Sequence, residues 1–246
     1  MTGIVYGSTR LGVLVPSGNS VAETELRAML PDEVTMLTTR LALRGSSEAE
    51  LLAMLGDLDH AAALLGHAEP DAIAFHCTAV STFAPHLAGE IRGRINAATG
   101  RPAIATADAI LAAFRVLETR RVLLVTPYIE PVHRREIDYL TAHGLTVVGG
   151  HCLGIDTNTE MSRIAPEAIA AQVREAASNV ATDACFISCT AIRSAGLIEP
   201  LEASLGVPVI TSNQVMAWHA LCRMGVDRRI SGFGRLFDIG DPTAIS

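Results

Sequence analysis

Short, nearly continuous aliphatic runs alternate along the chain with longer stretches in which apolar residues recur every three or four positions. The first pattern suits strands buried on both faces, and the second suits amphipathic helices packed on them. Their alternation predicts a parallel α/β fold. Strands are expected at Leu11–Val15, Val34–Leu37, Ala72–Phe75, Ala103–Ala105, Val122–Val125, Thr146–Val148, Cys185–Ser188 and Val207–Thr211. Helices are expected at Val21–Met29, Glu48–Leu65, Ala84–Thr99, Ala107–Leu117, Pro131–Ala142, Pro166–Val180, Gly196–Leu205 and Gln214–Met224.

The pattern occurs twice. Asp71-Ala-Ile-Ala-Phe-His-Cys77-Thr-Ala-Val-Ser resembles Asp183-Ala-Cys-Phe-Ile-Ser-Cys189-Thr-Ala-Ile-Arg, with the two cysteines 112 positions apart. Each segment leads to a helix, then a Pro-led strand (Arg101–Thr106 against Val207–Ser212), then another helix. Upstream, Gly12-Val-Leu-Val-Pro matches Arg121-Val-Leu-Leu-Val-Thr-Pro at nearly the same offset. Four matches in one order indicate duplication. Two Rossmann-like lobes with parallel sheets, related by a pseudo-twofold axis, are therefore expected. Residues 1–105 plus 213–246 would form the lobe carrying Cys77, and 106–212 the lobe carrying Cys189. Ligands of such sheets bind at the carboxyl ends of the strands, so both cysteines would face one cleft.

Composition narrows the class. With 49% hydrophobic and 18% charged residues and a mean hydropathy of +0.33, the chain is a well-buried globular protein. Aromatics are 4% of residues, so the core should be aliphatic. The net charge is −7 and there is no Lys/Arg run, which argues against a nucleic-acid partner. No apolar stretch reaches membrane-spanning length and no export signal is legible, so a cytoplasmic setting is expected. Five cysteines, an odd number, then read as reduced thiols.

Each matched cysteine would stand just before a helix start, where the macrodipole lowers a thiol pKa and the N–H groups of Thr78–Val80 and Thr190–Ile192 are free to bind a carboxylate. A buried structural role is the alternative for any one cysteine, but occurrence at both matched positions favours a site. Cys152, Cys185 and Cys222 have no counterpart and read as filler, and no zinc set is present. His76 adjoins Cys77, yet neighbours on a strand point to opposite faces, so it reads as support rather than base. Ser17 and Asn19 close the first strand and could donate to a carboxylate or simply shape the turn. Tyr128 occupies the matching loop of the second repeat, and Asn158 offers an amide nearby. Arg193 is the cation nearest a cysteine, either a carboxylate clamp or a solvated residue. No GxGxxG or P-loop is present, so no nucleotide cofactor is implied.

Taken together, Val15-Pro-Ser-Gly-Asn19, His76-Cys77-Thr, Thr126-Pro-Tyr128, Asp156-Thr-Asn158, Ser188-Cys189-Thr and Gly206–Trp218 resemble the aspartate/glutamate racemase superfamily, in its maleate cis–trans isomerase and arylmalonate decarboxylase branch. The resemblance covers about residues 10–240. It implies two similar lobes, a site between them, no cofactor and no metal, and a small carboxylate as partner. A homo-oligomer is compatible with it, with no interface legible. Carried onto this sequence it makes Cys77 the thiolate that adds to an activated double bond and Cys189 the acid. Asn19, Tyr128 and Asn158 would hold the two carboxylates together with the amides of Thr78, Ala79, Thr190 and Ala191, with Ser17 at the mouth. Arylmalonate decarboxylases lack a cysteine at the first position, so Cys77 argues against a pure decarboxylase. A racemase, or a two-lobed acid-binding protein without chemistry, are the other readings. Ala79-Val80-Ser81 and Ala191-Ile192-Arg193 depart from the maleate isomerases, and Arg193 suggests a different or larger substrate.

Overall fold

The computed structural model describes residues 7–45, 47–226 and 230–239. The outer ends of the expected first lobe (1–6 and 240–246), together with 46 and 227–229, lie outside the described residues.

Among the described residues eight parallel strands form two four-stranded sheets. β1 (Thr9–Pro16), β2 (Val34–Leu41), β3 (Ala72–Phe75) and β4 (Ala103–Ala105) stand in the order β2-β1-β3-β4. β5 (Arg121–Tyr128), β6 (Thr146–Ile155), β7 (Ala184–Ile187) and β8 (Val209–Thr211) stand in the order β6-β5-β7-β8. The two orders are the same, as duplication predicts. Registers match as well: Leu14 lies beside Phe75, and Val125 beside Ile187, so β3 and β7 end at corresponding heights beside their first strands. Cys77 and Cys189 each follow two residues later.

Side chains alternate between two cores. Leu11, Val13 and Val15 of β1 join Val122, Leu124 and Phe186 in one apolar cluster, which takes in the helices Ala22–Met29, Thr106–Val116 and Ser212–Arg223. Phe114 meets Phe186 edge-on at 5.8 Å between ring centres, tying the helix after β4 to the second sheet. Leu14, Phe75, Leu123, Val125 and Ile187 point the other way into a second cluster, which also contains both site cysteines.

All eight expected strands form where the apolar runs place them, and the differences lie at boundaries. β6 runs on to Ile155 because its continuation pairs with β5 as a half-exposed strand, which an apolar-run criterion misses. Gly150 is required there: a Cβ would collide with the Leu124 carbonyl. The expected helix Glu48–Leu65 breaks into Glu48–Ala53, a 3₁₀ turn Met54–Asp57 containing Gly56, and Leu58–Gly66. The helix expected from Ala84 starts at Leu87, since Pro85 disfavours helical backbone at the residue before it. No described helix is long and apolar enough to cross a membrane.

Candidate active site

Cys77 follows β3 in extended backbone and leads a single four-residue helix, Thr78–Ser81. Cys189 follows β7 with φ of +116°, a conformation that side chains rarely adopt. The expected helix start after it is absent. Thr190–Ser194 form a turn, and regular helix begins only at Ile198. The Ala191 N–H points back at Cys189 Sγ at 3.2 Å, so this amide serves the sulfur.

The expectation that helix dipoles depress both thiol pKa values is overturned. Cys77 is 4% and Cys189 2% exposed, and burial pushes each thiol up to about 12. The Val80 and Ala79 amides oppose this at Cys77, and the Ala191 amide and Tyr128 hydroxyl oppose it at Cys189. Desolvation outweighs a few hydrogen bonds and one helical turn. A negative charge on Cys189 raises Cys77 further, so the two thiols share one electrostatic environment in which both do not ionise together.

Other expected site residues divide into those near the thiols and those bracing the mouth. Tyr128 is buried and donates its hydroxyl to Cys189 Sγ. Asn19 Nδ2 donates to Thr190 Oγ1 at 3.0 Å, while its Oδ1 accepts from the Val21 and Ala22 amides, so it joins the two lobes as well as shaping the helix start. Thr78 Oγ1 donates to Ser212 Oγ at 2.8 Å, and the Cys189 amide donates to the same oxygen at 3.0 Å. Ala79, Thr190 and Ala191 are buried around the sulfurs. Ser17 is exposed and exchanges hydrogen bonds with the Leu43 backbone, as a brace of the loop. Asn158 donates its amide N–H to the Arg44 carbonyl, but its side-chain Nδ2 is a buried donor with no protein partner. It lies against Gly18, where a Cβ would come 3.3 Å from Asn158 Cβ. Segment 41–45 therefore bridges the Ser17–Gly18 turn and Asn158 above the site. Met161 Sδ sits 3.7 Å from Cys189 Sγ beneath it.

Arg193 is no carboxylate clamp: it is exposed and donates to the Ile164 carbonyl at 2.8 Å, fixing the turn after Asn158–Met161. His76 is fully buried, with Nε2 2.8 Å from Asn213 Oδ1 and Nδ1 near Thr106 Oγ1, away from Cys77. Burial holds its pKa down at about 4, so it stays neutral. The unfolded chain then takes a proton first as pH falls. The stability His76 contributes is whole above about 6.5 and is lost between there and about 4, up to about 3 kcal/mol. Denaturant titrations at pH 7 and 4.5 should show this loss shrinking in His76→Gln.

Sequence reasoning missed four polar residues. Ser212 bridges the two cysteine segments. Asn213 links His76 to Glu25 (Nδ2 to Oε2, 2.7 Å). Glu25 accepts from the Ser194 and Ala195 amides at 2.6 and 2.9 Å. Glu136 accepts from Ser188 Oγ at 2.6 Å, directly before Cys189. Ser212 and Asn213 had a signal in the repeated Pro-strand-helix segment. The two glutamates had none, since acidic residues on amphipathic helices read as solvated faces. Among the described residues no cluster of three or more His, Cys, Asp and Glu could hold a metal ion.

Two matched parallel sheets, each followed by one buried cysteine whose thiol feels the charge of the other, define a duplicated α/β architecture. The family model described as arylmalonate decarboxylase matches residues 11–237. A maleate isomerase of Nocardia farcinica is 30% identical over 241 residues, spanning 94% of this chain and 96% of that protein. The arylmalonate decarboxylase of Bordetella bronchiseptica is 33% identical over 145 residues, 57% of this chain and 60% of that one. A solved mutant of the Nocardia farcinica maleate cis–trans isomerase, carrying a covalently bound succinylcysteine intermediate, superposes with a TM-score of 0.88 at 27% identity, covering 93% and 98% of the chains. The maleate isomerase of Pseudomonas putida S16, solved in a mutant form with maleate, gives 0.86 at 26%, covering 93% and 97%. The chain belongs to the arylmalonate decarboxylase family, which the sequence resemblance had placed in the Asp/Glu racemase superfamily together with the maleate isomerases.

Proposed function

We propose that this protein is a cofactor-independent cis–trans isomerase of a small unsaturated dicarboxylate, acting on maleate or a close analogue. The observation that carries the reading is a cysteine at each of the two repeat-related positions in one buried site. The relative solved with a succinylcysteine and the one solved with maleate support it.

The chemistry follows from one proton shared by two thiols. With Cys77 as thiolate and Cys189 as thiol, the Cys77 sulfur adds to one alkene carbon and the displaced electron pair moves onto the adjacent carbon and its carboxylate. Cys189 donates its proton to that carbon, giving a succinyl thioether with a freely rotating single bond. After rotation Cys189 removes a proton, the C–S bond breaks, and the trans alkene leaves with Cys77 again a thiolate. No atom or electron is left over. Tyr128, the amides near both sulfurs and the spare Asn158 donor would stabilise the enediolate and hold the carboxylates. Thr78, Ala79, Thr190 and Ala191 would shape the site, and Asn19 would keep Thr190 in place. Since both thiols are buried, substrate entry requires local opening of the structure around them. The division into lobes 1–105 plus 213–246 and 106–212 is supported by the two sheets falling on either side of residue 105. Thiols that must stay reduced favour a cytoplasmic setting.

Proton NMR of the purified protein with maleate should show fumarate accumulating. No isomerisation of maleate or of alkyl-substituted analogues would overturn the reading. The family model and the Bordetella relative favour decarboxylation as the second reading. It requires turnover of an arylmalonate that survives Cys77→Ser and is lost in Cys189→Ser. Asn158→Ala removes a donor that lacks a protein partner, so folding stability should hold while KM for the dicarboxylate rises about tenfold, read from steady-state kinetics.

A further inference from the structure

Glu25 and Glu136 stand 111 positions apart, the offset of Pro16 and Pro127 in the first strands of the two sheets. They are repeat-related, each on the helix that follows that strand. Symmetry would give one to each cysteine, yet both grip the turn around Cys189. Glu136 holds Ser188 on one side. Glu25 holds the Ser194 and Ala195 amides on the other, and through Asn213 it reaches the Thr190 carbonyl. On the Cys77 side the position of Ser188 is taken by His76, which meets the Asn213 amide rather than a carboxyl. The duplication is thus broken in charge as well as in sequence.

Glu136 is buried, and its Oε2 has no hydrogen-bond partner. A hydrogen bond to Ser188 alone could be accepted by a neutral amide, so the carboxyl brings a charge the fold does not need. We propose that Glu136 is a positioning residue that keeps Cys189 in the thiol form, and so fixes it as the acid of the pair, through its charge and its hold on Ser188. The proposal rests on the two-cysteine isomerase reading. Beyond burial, the groups that act on the Cys189 thiol are the Ala191 amide and the Tyr128 hydroxyl, which favour the thiolate, and Glu136 and Glu25, whose charges disfavour it. Cys77 lies in the same environment and responds to the charge on Cys189. Burial raises Glu136 to about 7 against the opposing Ser188 hydrogen bond, so its charge develops across neutral pH.

The test uses the resting full-length protein and needs no turnover. Iodoacetamide alkylation of Cys189 and Cys77 is followed from pH 6 to 9.5 by peptide mass mapping. In the wild type the rate at Cys189 should rise with pH, flatten near 7 as Glu136 ionises, then rise again. Glu136→Gln should remove the plateau and speed Cys189 about three- to tenfold relative to Cys77 at pH 8.5. Ser188→Ala, which keeps the carboxyl, should retain a plateau. A Glu136→Gln profile that matches wild type, or an equal acceleration of both cysteines, overturns the proposal. If Glu136→Gln does not fold, Glu136→Asp should displace the Cys189 plateau and leave Cys77 unmoved, and an undisplaced plateau overturns it. A protein that shows the coupling but never isomerises maleate would overturn the isomerase reading and leave the charge effect standing.

Discussion

Cys77→Ser is expected to lower kcat/KM for isomerisation by about 10⁴-fold or more while leaving the fold intact. Serine keeps the volume of the thiol closely and suits a position 4% exposed. What it lacks is an ionisable sulfur. Burial holds the thiol up at about 12 even with the Val80 and Ala79 amides opposing it, and a serine hydroxyl, far less acidic than a thiol, cannot supply an alkoxide there at neutral pH. Steady-state kinetics, with circular dichroism to show the fold retained, read the effect. Residual activity within about tenfold of wild type would mean that Cys77 forms no covalent bond.

The second large effect concerns stability. Glu25→Ala is expected to cost about 3–5 kcal/mol by chemical denaturation at pH 7. Its carboxyl is buried, and burial raises its pKa even though Ala195, Asn213 and Ser194 all donate to it. Removing it leaves two backbone amides without acceptors and takes from Asn213 Nδ2 the shorter of its two acceptors, leaving it the Thr190 carbonyl, in a turn that must hold Cys189 at positive φ. Asn213→Ala should be milder, since Glu25 keeps its backbone partners. Equal costs for the two would place the penalty elsewhere in the network.

The strands were legible because strands buried on both faces demand unbroken aliphatic runs, as Ala72–Phe75 and Ala184–Ile187 show. The cysteine pair was legible because the runs occur twice in one order. Less legible was anything decided by tertiary contact. The turn after Cys189 carries helix-compatible residues, and nothing local says that Glu25, more than 160 positions upstream, captures the Ser194 and Ala195 amides instead. Arg193 stays open between a carboxylate clamp and a solvated residue in the sequence because its Ile164 carbonyl partner lies 29 positions away. The sign of the thiol shifts was missed for the same reason: a helix start is visible in sequence, whereas the depth of burial that outweighs it is not. Glu136 repeats the point, since on helix Glu130–Ala142 only the folded chain distinguishes it from a solvated acid.

The most direct test of unequal cysteine roles is intact mass spectrometry of Cys189→Ser after incubation with maleate. With water supplying the proton to the carbanion in place of the second thiol, and no thiolate left to take it off again, the thioether should accumulate: the protein gains the mass of one substrate, and peptide mapping places it on Cys77. A Cys189→Ser protein that stays unmodified while Cys77→Ser becomes modified at Cys189 would reverse the roles. Modification of neither, with isomerisation by the wild type intact, would contradict covalent catalysis altogether.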